Sequence, residues 1–125
     1  MINGFCFKND LIKVVFPILA PLTILSKPAD VVYVEIGKTL YLNLTFHYTG
    51  DIRFFIMSWA FNSKSLVHKS GNSKPLSFLP GRATIEGQAS LVLNKTTSND
   101  NGKYTFRWIG VNSGDLPFIV IIQGN

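Results

Sequence analysis

Hydrophobic and polar residues alternate with a period of two along much of this 125-residue chain. In TLYLNLTF, residues 39–46, the even positions from Leu40 to Phe46 are apolar, and Tyr41, Asn43 and Thr45 stand between them. Successive side chains of a β-strand point to opposite faces, so this pattern predicts a strand with one buried and one solvated face. SLVLN, residues 90–94, repeats the pattern.

Six more segments have strand character and are separated by turn residues. They are VVYVEI (31–36), RFFIMSWAF (53–61), KSLVHK (64–69), RATIE (82–86), GKYTFRWI (102–109) and PFIVIIQ (117–123). Gly, Asn, Asp and Pro cluster between them, as in TGD, SGNSKP, LPG, TSNDNG and NSGD. No segment has the pattern of an amphipathic helix. About eight or nine short strands in such a chain predict an all-β, two-sheet antiparallel sandwich.

Composition supports one folded unit. The chain is 46% hydrophobic and 13% aromatic, and its 15% charged residues are too few for a disordered chain. The formal charge is +5, but the basic residues are scattered singly from Lys8 to Arg107. Nucleic-acid binding requires a basic stripe or patch, so we expect no nucleic-acid partner.

The amino-terminal segment has features of a signal peptide. Lys8 and Lys13 precede an apolar run, residues 14–25, which Pro17 and Pro21 interrupt. The run is too short for a membrane span but suits a signal-peptide core. We predict a signal peptide over residues 1–20, with a boundary anywhere in 20–26, and a folded domain over residues 21–125. Residues 22–25 are also predicted to form the first strand.

Cysteine and glycosylation patterns bear on the compartment. Cys6 is the only cysteine, so no disulfide can form within the chain, which is compatible with a cytosolic protein. The sequons Asn43-Leu44-Thr45 and Asn94-Lys95-Thr96 favour secretion. We predict an extracellular glycoprotein, at the cell surface or secreted, with glycans at Asn43 and Asn94.

The passage around SNDNGKYTF resembles immunoglobulin domains. Leu91-x-Leu93 followed by Asp100-x-Gly102-x-Tyr104 is similar to the E to F passage of that family. The resemblance implies a corner at Tyr104, whose hydroxyl bonds to backbone nearby. It extends over residues 22–123.

Further positions resemble variable-type (V-set) domains. Trp59 follows Leu44 by fifteen positions, like the buried strand C tryptophan after the strand B cysteine, and Arg82 is placed to pair with Asp100. Leu44 and Phe106 occupy the two cysteine positions. The missing bridge would contribute about 4 kcal/mol, and burying a Leu and a Phe contributes roughly 1.5 to 3 kcal/mol each. We therefore predict a V-type sandwich with Leu44, Trp59 and Phe106 packed in its core.

Two groups of V-set domains without the bridge resemble this chain. One is the ectodomains of allorecognition receptors of colonial hydroids, and the other is the membrane-distal domain of lymphocyte adhesion receptors. This chain keeps the tryptophan, arginine, aspartate and tyrosine of the V-set pattern and lacks both cysteines. That combination favours the hydroid group.

The sequence has few features of a catalytic or metal-binding site. His47 and His68 lie in different segments without metal-ligand spacing. The chain has no phosphate loop and no nucleophile-elbow serine. We expect no enzyme activity, no cofactor and no metal.

Some strands have apolar residues at both odd and even positions, and therefore on both faces. Such strands predict a binding face. With Trp59 and Phe106 inward, the outward residues are Phe54, Ile56, Ser58, Ala60, Thr105, Arg107 and Ile109. PFIVIIQ is likewise apolar at both parities. In the resembled fold these segments are strands C, F and G of one sheet, so we expect its outer face to carry one apolar patch edged by Arg107. Both sequons fall on the opposite sheet, which leaves this face bare, and large exposed apolar patches mark interaction sites.

The predicted function is cell-surface recognition or adhesion through binding of the same or a similar immunoglobulin-like domain. The alternatives are a structural module of a larger ectodomain, a heterophilic adhesion receptor domain and an intracellular sandwich. We expect any membrane tether to lie outside this chain.

Overall fold

The alternating segments all contain strands. The computed structural model describes residues 22–124, and the strands are β1 Leu22–Ser26, β2 Val31–Glu35, β3 Leu40–Leu42, β4 Thr45–Tyr48, β5 Ile56–Phe61, β6 Lys64–Ser70, β7 Leu76–Ser77, β8 Ala83–Glu86, β9 Ser90–Leu93, β10 Gly102–Ile109 and β11 Ser113–Gln123. Two 3-10 turns, Ile52–Phe54 and Ser98–Asp100, complete the elements. The predicted signal peptide, residues 1–20, lies outside the described residues. Residues 22–25 do form the first strand.

The strands form two packed layers. One is a six-stranded sheet in the order β2-β11-β10-β5-β6-β7, and the other contains the ladder β3-β9-β8 and the pair β1-β4. Neighbouring strands are antiparallel except β2 and β11, which run parallel with Val31 beside Ile119 and Glu35 beside Gln123. The predicted all-β sandwich is confirmed, with this one parallel pair added.

The inward side chains of both layers form one core. Leu44, Trp59 and Phe106 are each 0% exposed, and the Trp59 and Phe106 ring centroids are 5.3 Å apart. The Trp59 indole Nε1 donates a hydrogen bond of 2.8 Å to the Ala89 carbonyl, in the turn between β8 and β9. Trp59 therefore connects the layers, and the predicted unbridged core is confirmed.

The predicted corner and ion pair are also present. The Tyr104 hydroxyl donates to the Asp100 carbonyl at 2.7 Å. The Arg82 guanidinium donates to the Asp100 carboxylate at 2.8 Å and also to the Asn94 carbonyl. Burial, aided by the Asp100 charge and opposed by Arg82, raises the pKa of Tyr104 well above its ordinary value.

The strand predicted over residues 39–46 is interrupted at Asn43 and Leu44. The Leu44 N–H donates to the Ser90 side-chain oxygen at 3.1 Å, and the Phe46 N–H donates to Gln88 Oε1 at 2.7 Å. These side chains take the place of a backbone ladder, so the chain leaves β9 after β3 and pairs with β1 as β4.

Candidate binding face

The outward residues of the central strands form three rows on the six-stranded sheet. Ile56 and Ile109 are cross-strand partners at the end near the loops, Ser58 and Arg107 form the middle row, and Ala60 and Thr105 the third. On the other side of β10, Arg107 pairs with Asp115 and Thr105 with Pro117. The predicted outward parity of both strands is confirmed.

The row near the loops is exposed and apolar. Ile56 is 43% exposed and Ile109 is 53% exposed. Phe54 precedes this pair and Val111 follows it, at 74% and 71% exposed. We call these four residues the loop-end patch. Val111 was absent from the residues predicted from sequence, because it lies in a turn where strand parity does not apply.

Phe54 was predicted on the strand and instead lies in the 3-10 turn Ile52–Phe54, so strand β5 begins only at Ile56. The Asp51 carboxylate caps this turn by accepting from the Arg53 N–H, and it pairs with the Arg53 guanidinium at 2.7 Å. Hydrogen bonds from Arg53 hold the pKa of Asp51 below its usual range. The turn redirects the chain and leaves the Phe54 ring in solvent.

The tip of the domain is stabilised by contacts between its loops. The Val111 N–H donates to the Tyr48 hydroxyl at 2.9 Å, and the Tyr48 and Phe55 ring centroids are 4.5 Å apart. A side chain at Gly50 or Gly110 would collide with the Tyr48 hydroxyl group. These contacts position the turn that carries Val111 beside the segment that carries Phe54.

A polar row interrupts the apolar surface. The prediction that Arg107 lies at the edge of one patch is wrong, since Arg107 lies in the middle row, 3.8 Å from the Asp115 carboxylate. Ser58, beside it, is half-buried. Because two charged side chains stand on neighbouring strands here, the apolar residues on either side of this row are separate.

Two predicted binding residues are buried. Ala60 is 7% exposed and Thr105 is 9% exposed, so the prediction that they form part of a bare face is wrong. Their short side chains lie in a shallow depression lined also by longer, exposed ones, among them Lys103, Arg107 and Pro117. A flat partner surface would meet those longer side chains first.

A second exposed apolar group lies on the same face where β2 joins β11. Val31 is 40% exposed, Tyr33 is 59%, Ile119 is 42% and Ile121 is 36%. We call these four residues the edge patch. The outward residues of PFIVIIQ were expected on this face, but the contribution of β2 was missed because sequence parity does not reveal that β2 lies beside β11. Apolar residues at both parities of VVYVEI and PFIVIIQ are the signal that could have indicated it.

The two sequon asparagines lie on the other layer. Asn43 directly follows β3 and is exposed, and Asn94 directly follows β9 and is half-buried. Strands β3 and β9 are partners, with Leu42 beside Leu91. The asparagines thus stand at opposite ends of one ladder, away from the face described above. Glycosylation itself stays a prediction.

Residues 22–124 contain neither a metal-binding cluster nor a membrane-spanning helix. In this range no three His, Cys, Asp or Glu side chains lie together where they could hold a metal ion. Within the same residues, no helix has the length and hydrophobicity required to cross a membrane.

Comparisons with known proteins support the architecture. No protein-family model matches the chain, and no curated protein sequence matches it. Among solved structures, the extracellular domain of the voltage-gated sodium channel beta4 subunit is 20% identical with a TM-score of 0.63, over 76% of this chain and 91% of that one. Domain 1 of VCBP3 from Branchiostoma floridae is 16% identical with a TM-score of 0.66, over 82% and 95%.

A third similar structure is Dpr1 IG1 bound to DIP-eta IG1, at 10% identity and a TM-score of 0.66, covering 84% of this chain and 98% of that one. The V domain of amphioxus IgVJ-C2 also matches, with a TM-score of 0.62. These likenesses agree with the corner at Tyr104, the Arg82 to Asp100 pair and the buried Trp59. This chain therefore has the fold of a variable-type immunoglobulin domain, without the disulfide between the sheets.

Proposed function

We propose that this chain is an extracellular recognition domain that binds the same or a similar immunoglobulin-like domain through the loop-end patch. The observation that carries the proposal is the exposed apolar row of Ile56 and Ile109, extended by Phe54 and Val111. Four large apolar side chains at one end of a domain are costly to leave in water unless a partner covers them. The proposed role is binding, at the cell surface or after secretion, and not catalysis.

Two features support the loop-end patch as the binding surface. Both sequons lie on the other layer, so glycans at Asn43 and Asn94 would leave the loop-end patch uncovered. The nearest basic side chain on this loop, Arg53, is already paired with Asp51. Two copies could therefore bring their apolar groups together without an unpaired charge from this turn.

The similar structures favour a partner of the same kind. The sodium channel beta4 extracellular domain forms parallel homodimers with a role in cell-cell adhesion, and Dpr1 IG1 is bound to DIP-eta IG1. The narrower hypothesis of allorecognition comes from the sequence resemblance to hydroid receptors. A modest interface of about 1,200 to 2,000 Å² would give micromolar affinity, and many copies at a cell contact would multiply it.

The test is bead clumping with the secreted, glycosylated protein. Beads coated with the unaltered domain should clump, and Ile56→Asp and Ile109→Asp should each abolish clumping, because a buried unpaired carboxylate is costly. Leu76→Asp is the matched control, since Leu76 is 53% exposed, as Ile109 is, and lies on β7 at the far edge of the sheet. All variants should melt within a few degrees of the unaltered protein.

The outcomes separate the alternatives. If the aspartate variants unfold, another part of the protein packs on the patch and it is not a free binding face. If they stay folded and clumping never occurs, the structural-module alternative gains support. If the unaltered protein never clumps with itself or with allelic variants and paralogues, the partner is dissimilar and the proposal of like-domain binding is wrong.

A further inference from the structure

The edge patch is built by the parallel pairing of β2 and β11. The register sets Val31 beside Ile119 and Tyr33 beside Ile121, and all four side chains point away from the core. Val32 and Val34, the alternate residues of β2, pack against the core instead. The exposed apolar area is of the order of 300 Å², comparable to the largest apolar patch of a typical monomer.

Opposite charges stand at diagonal corners of this patch. Lys103 lies on β10 beside Ile119, and Glu35 lies on β2 beside Gln123, four residues beyond Val31. Both side chains are exposed. Two ion pairs lie near the Lys103 corner, and each offsets its own charges: the Lys27 and Asp30 side chains are 3.6 Å apart, and those of Arg107 and Asp115 are 3.8 Å apart.

This arrangement is self-complementary. We propose that the edge patch is the interface of a two-fold symmetric pair of this chain. A two-fold axis lying in the interface, passing over Ile121 and perpendicular to the line between Lys103 and Glu35, exchanges those two corners. Each Glu35 then meets the Lys103 of the second copy, and the apolar side chains meet in the middle.

The available area suits a weak pair. The apolar centre is about half of the roughly 600 Å² per copy that an interface at the lower end of the stable range needs, about 1,200 Å² in total, so the polar rim must supply the rest. We therefore expect a dissociation constant in the micromolar range, with a dependence on salt because the corner contacts are exposed.

The edge patch and the loop-end patch are separate surfaces. Lys103 and Ile109 are six positions apart on β10, a distance of about 20 Å along the strand. Pairing through the edge patch does not depend on the proposed adhesion. If both occur, a pair presents two loop-end patches, and a second contact between apposed surfaces becomes effectively intramolecular.

Charge reversal tests the pair, using sedimentation velocity from about 1 to 300 µM, a range spanning weak interfaces of this size. All chains in this series carry Ile109→Asp, which removes the proposed loop-end contact and leaves the edge patch intact. Glu35→Lys alone and Lys103→Glu alone should each weaken self-association at least tenfold, because each places two like-charge contacts across the two-fold axis. An equimolar mixture of the two variants should associate again, since both corner contacts then join opposite charges. The doubly reversed chain should also pair with itself.

The apolar centre has its own variant and controls. With Ile109→Asp present to remove the proposed loop-end contact, Tyr33→Asp should leave the protein monomeric throughout, while Ile109→Asp alone or with Leu76→Asp should still form the pair. Loss of clumping with Ile109→Asp but retention of the pair would separate this inference from the proposed function. Circular dichroism melts confirm that each variant is folded.

Three results would overturn the proposal. The Ile109→Asp protein could stay monomeric over the whole range, the pair could persist when Tyr33→Asp is added to it, or the mixture of reversed variants could fail to associate. A monomer whose Tyr33 ring is protected from chemical iodination would indicate that another segment of the chain covers the patch, and it would overturn the proposal equally.

Discussion

Truncation of Phe106 tests the unbridged core directly. Phe106 is 0% exposed, lies beside Trp59 in the register, and has a second aromatic neighbour in Trp108, whose ring centroid is 5.9 Å away. Phe106→Ala removes a fully buried ring, which costs about 2 kcal/mol in transfer free energy. The cavity of roughly 100 Å³ adds roughly 2 kcal/mol at about 24 cal/mol per Å³. We expect the free energy of unfolding to fall by about 4 kcal/mol.

The assay is urea denaturation followed by tryptophan fluorescence, with an unchanged slope as the check on two-state unfolding. Such a loss is a large part of the roughly 5 to 15 kcal/mol of a typical domain, so Phe106→Leu, a smaller truncation, is measured in parallel. Phe54→Ala is the matched control, because Phe54 is 74% exposed and its loss should change stability by less than about 0.5 kcal/mol.

A loss below about 1 kcal/mol for Phe106→Ala would refute the reasoning, because truncation of a buried aromatic ring costs several times more. It would mean that position 106 does not stand where the bridge would otherwise be. The face predicted to bind would then also change, since a shift of one residue turns every side chain of β10 to the opposite face.

Three further predictions concern the corner and the surface. The pKa of Tyr104 is raised in the folded state, so this group's contribution to stability is fully present below its unfolded pKa near 10 and is lost as pH rises above that value. The urea midpoint of the unaltered protein should therefore fall at alkaline pH, and it should fall less in Tyr104→Phe. Arg82→Met should lower the free energy of unfolding by about 1 to 3 kcal/mol, because it leaves the mostly buried Asp100 carboxylate without its guanidinium partner; a loss within measurement error of zero in denaturant melts would contradict a structural role. Intact mass of the secreted product should report loss of about 20 to 26 residues and sugar at Asn43 and Asn94, whereas an unprocessed, unglycosylated product retained in the cell would favour the intracellular alternative.

Strands and core could be predicted from sequence because the underlying rule is local. Alternation alone places Leu40 and Leu42 inward. The spacing of Trp59, Asp100 and Tyr104 matches the resembled family, and that match predicts the corner and the buried tryptophan. The inward positions depend on residues within one strand, while the positions of Trp59 and Tyr104 come from the family resemblance. Burial follows from strand parity with few further assumptions.

The binding face depends on which strands are neighbours and in what register. Arg107 was placed at the edge because the sequence does not indicate that Asp115 and Ser58 flank it on adjacent strands. The break at Leu44 depends on Ser90, 46 positions away, whose side chain replaces a backbone partner. Non-local contacts of this kind are set by the whole fold and are not contained in the pattern of any one segment.

The parallel pairing of β2 with β11 also determines how the domain would respond to mechanical force. Tension reaching β2 from its amino end and β11 from its carboxyl end pulls two parallel strands past one another along their length. The ladder from Val31 beside Ile119 to Glu35 beside Gln123 is then loaded in shear, so its bonds must break together. An antiparallel hairpin pulled from its open end would instead peel apart one bond at a time. A domain stretched between its two ends would resist extension through this pair, with no covalent bridge between its sheets.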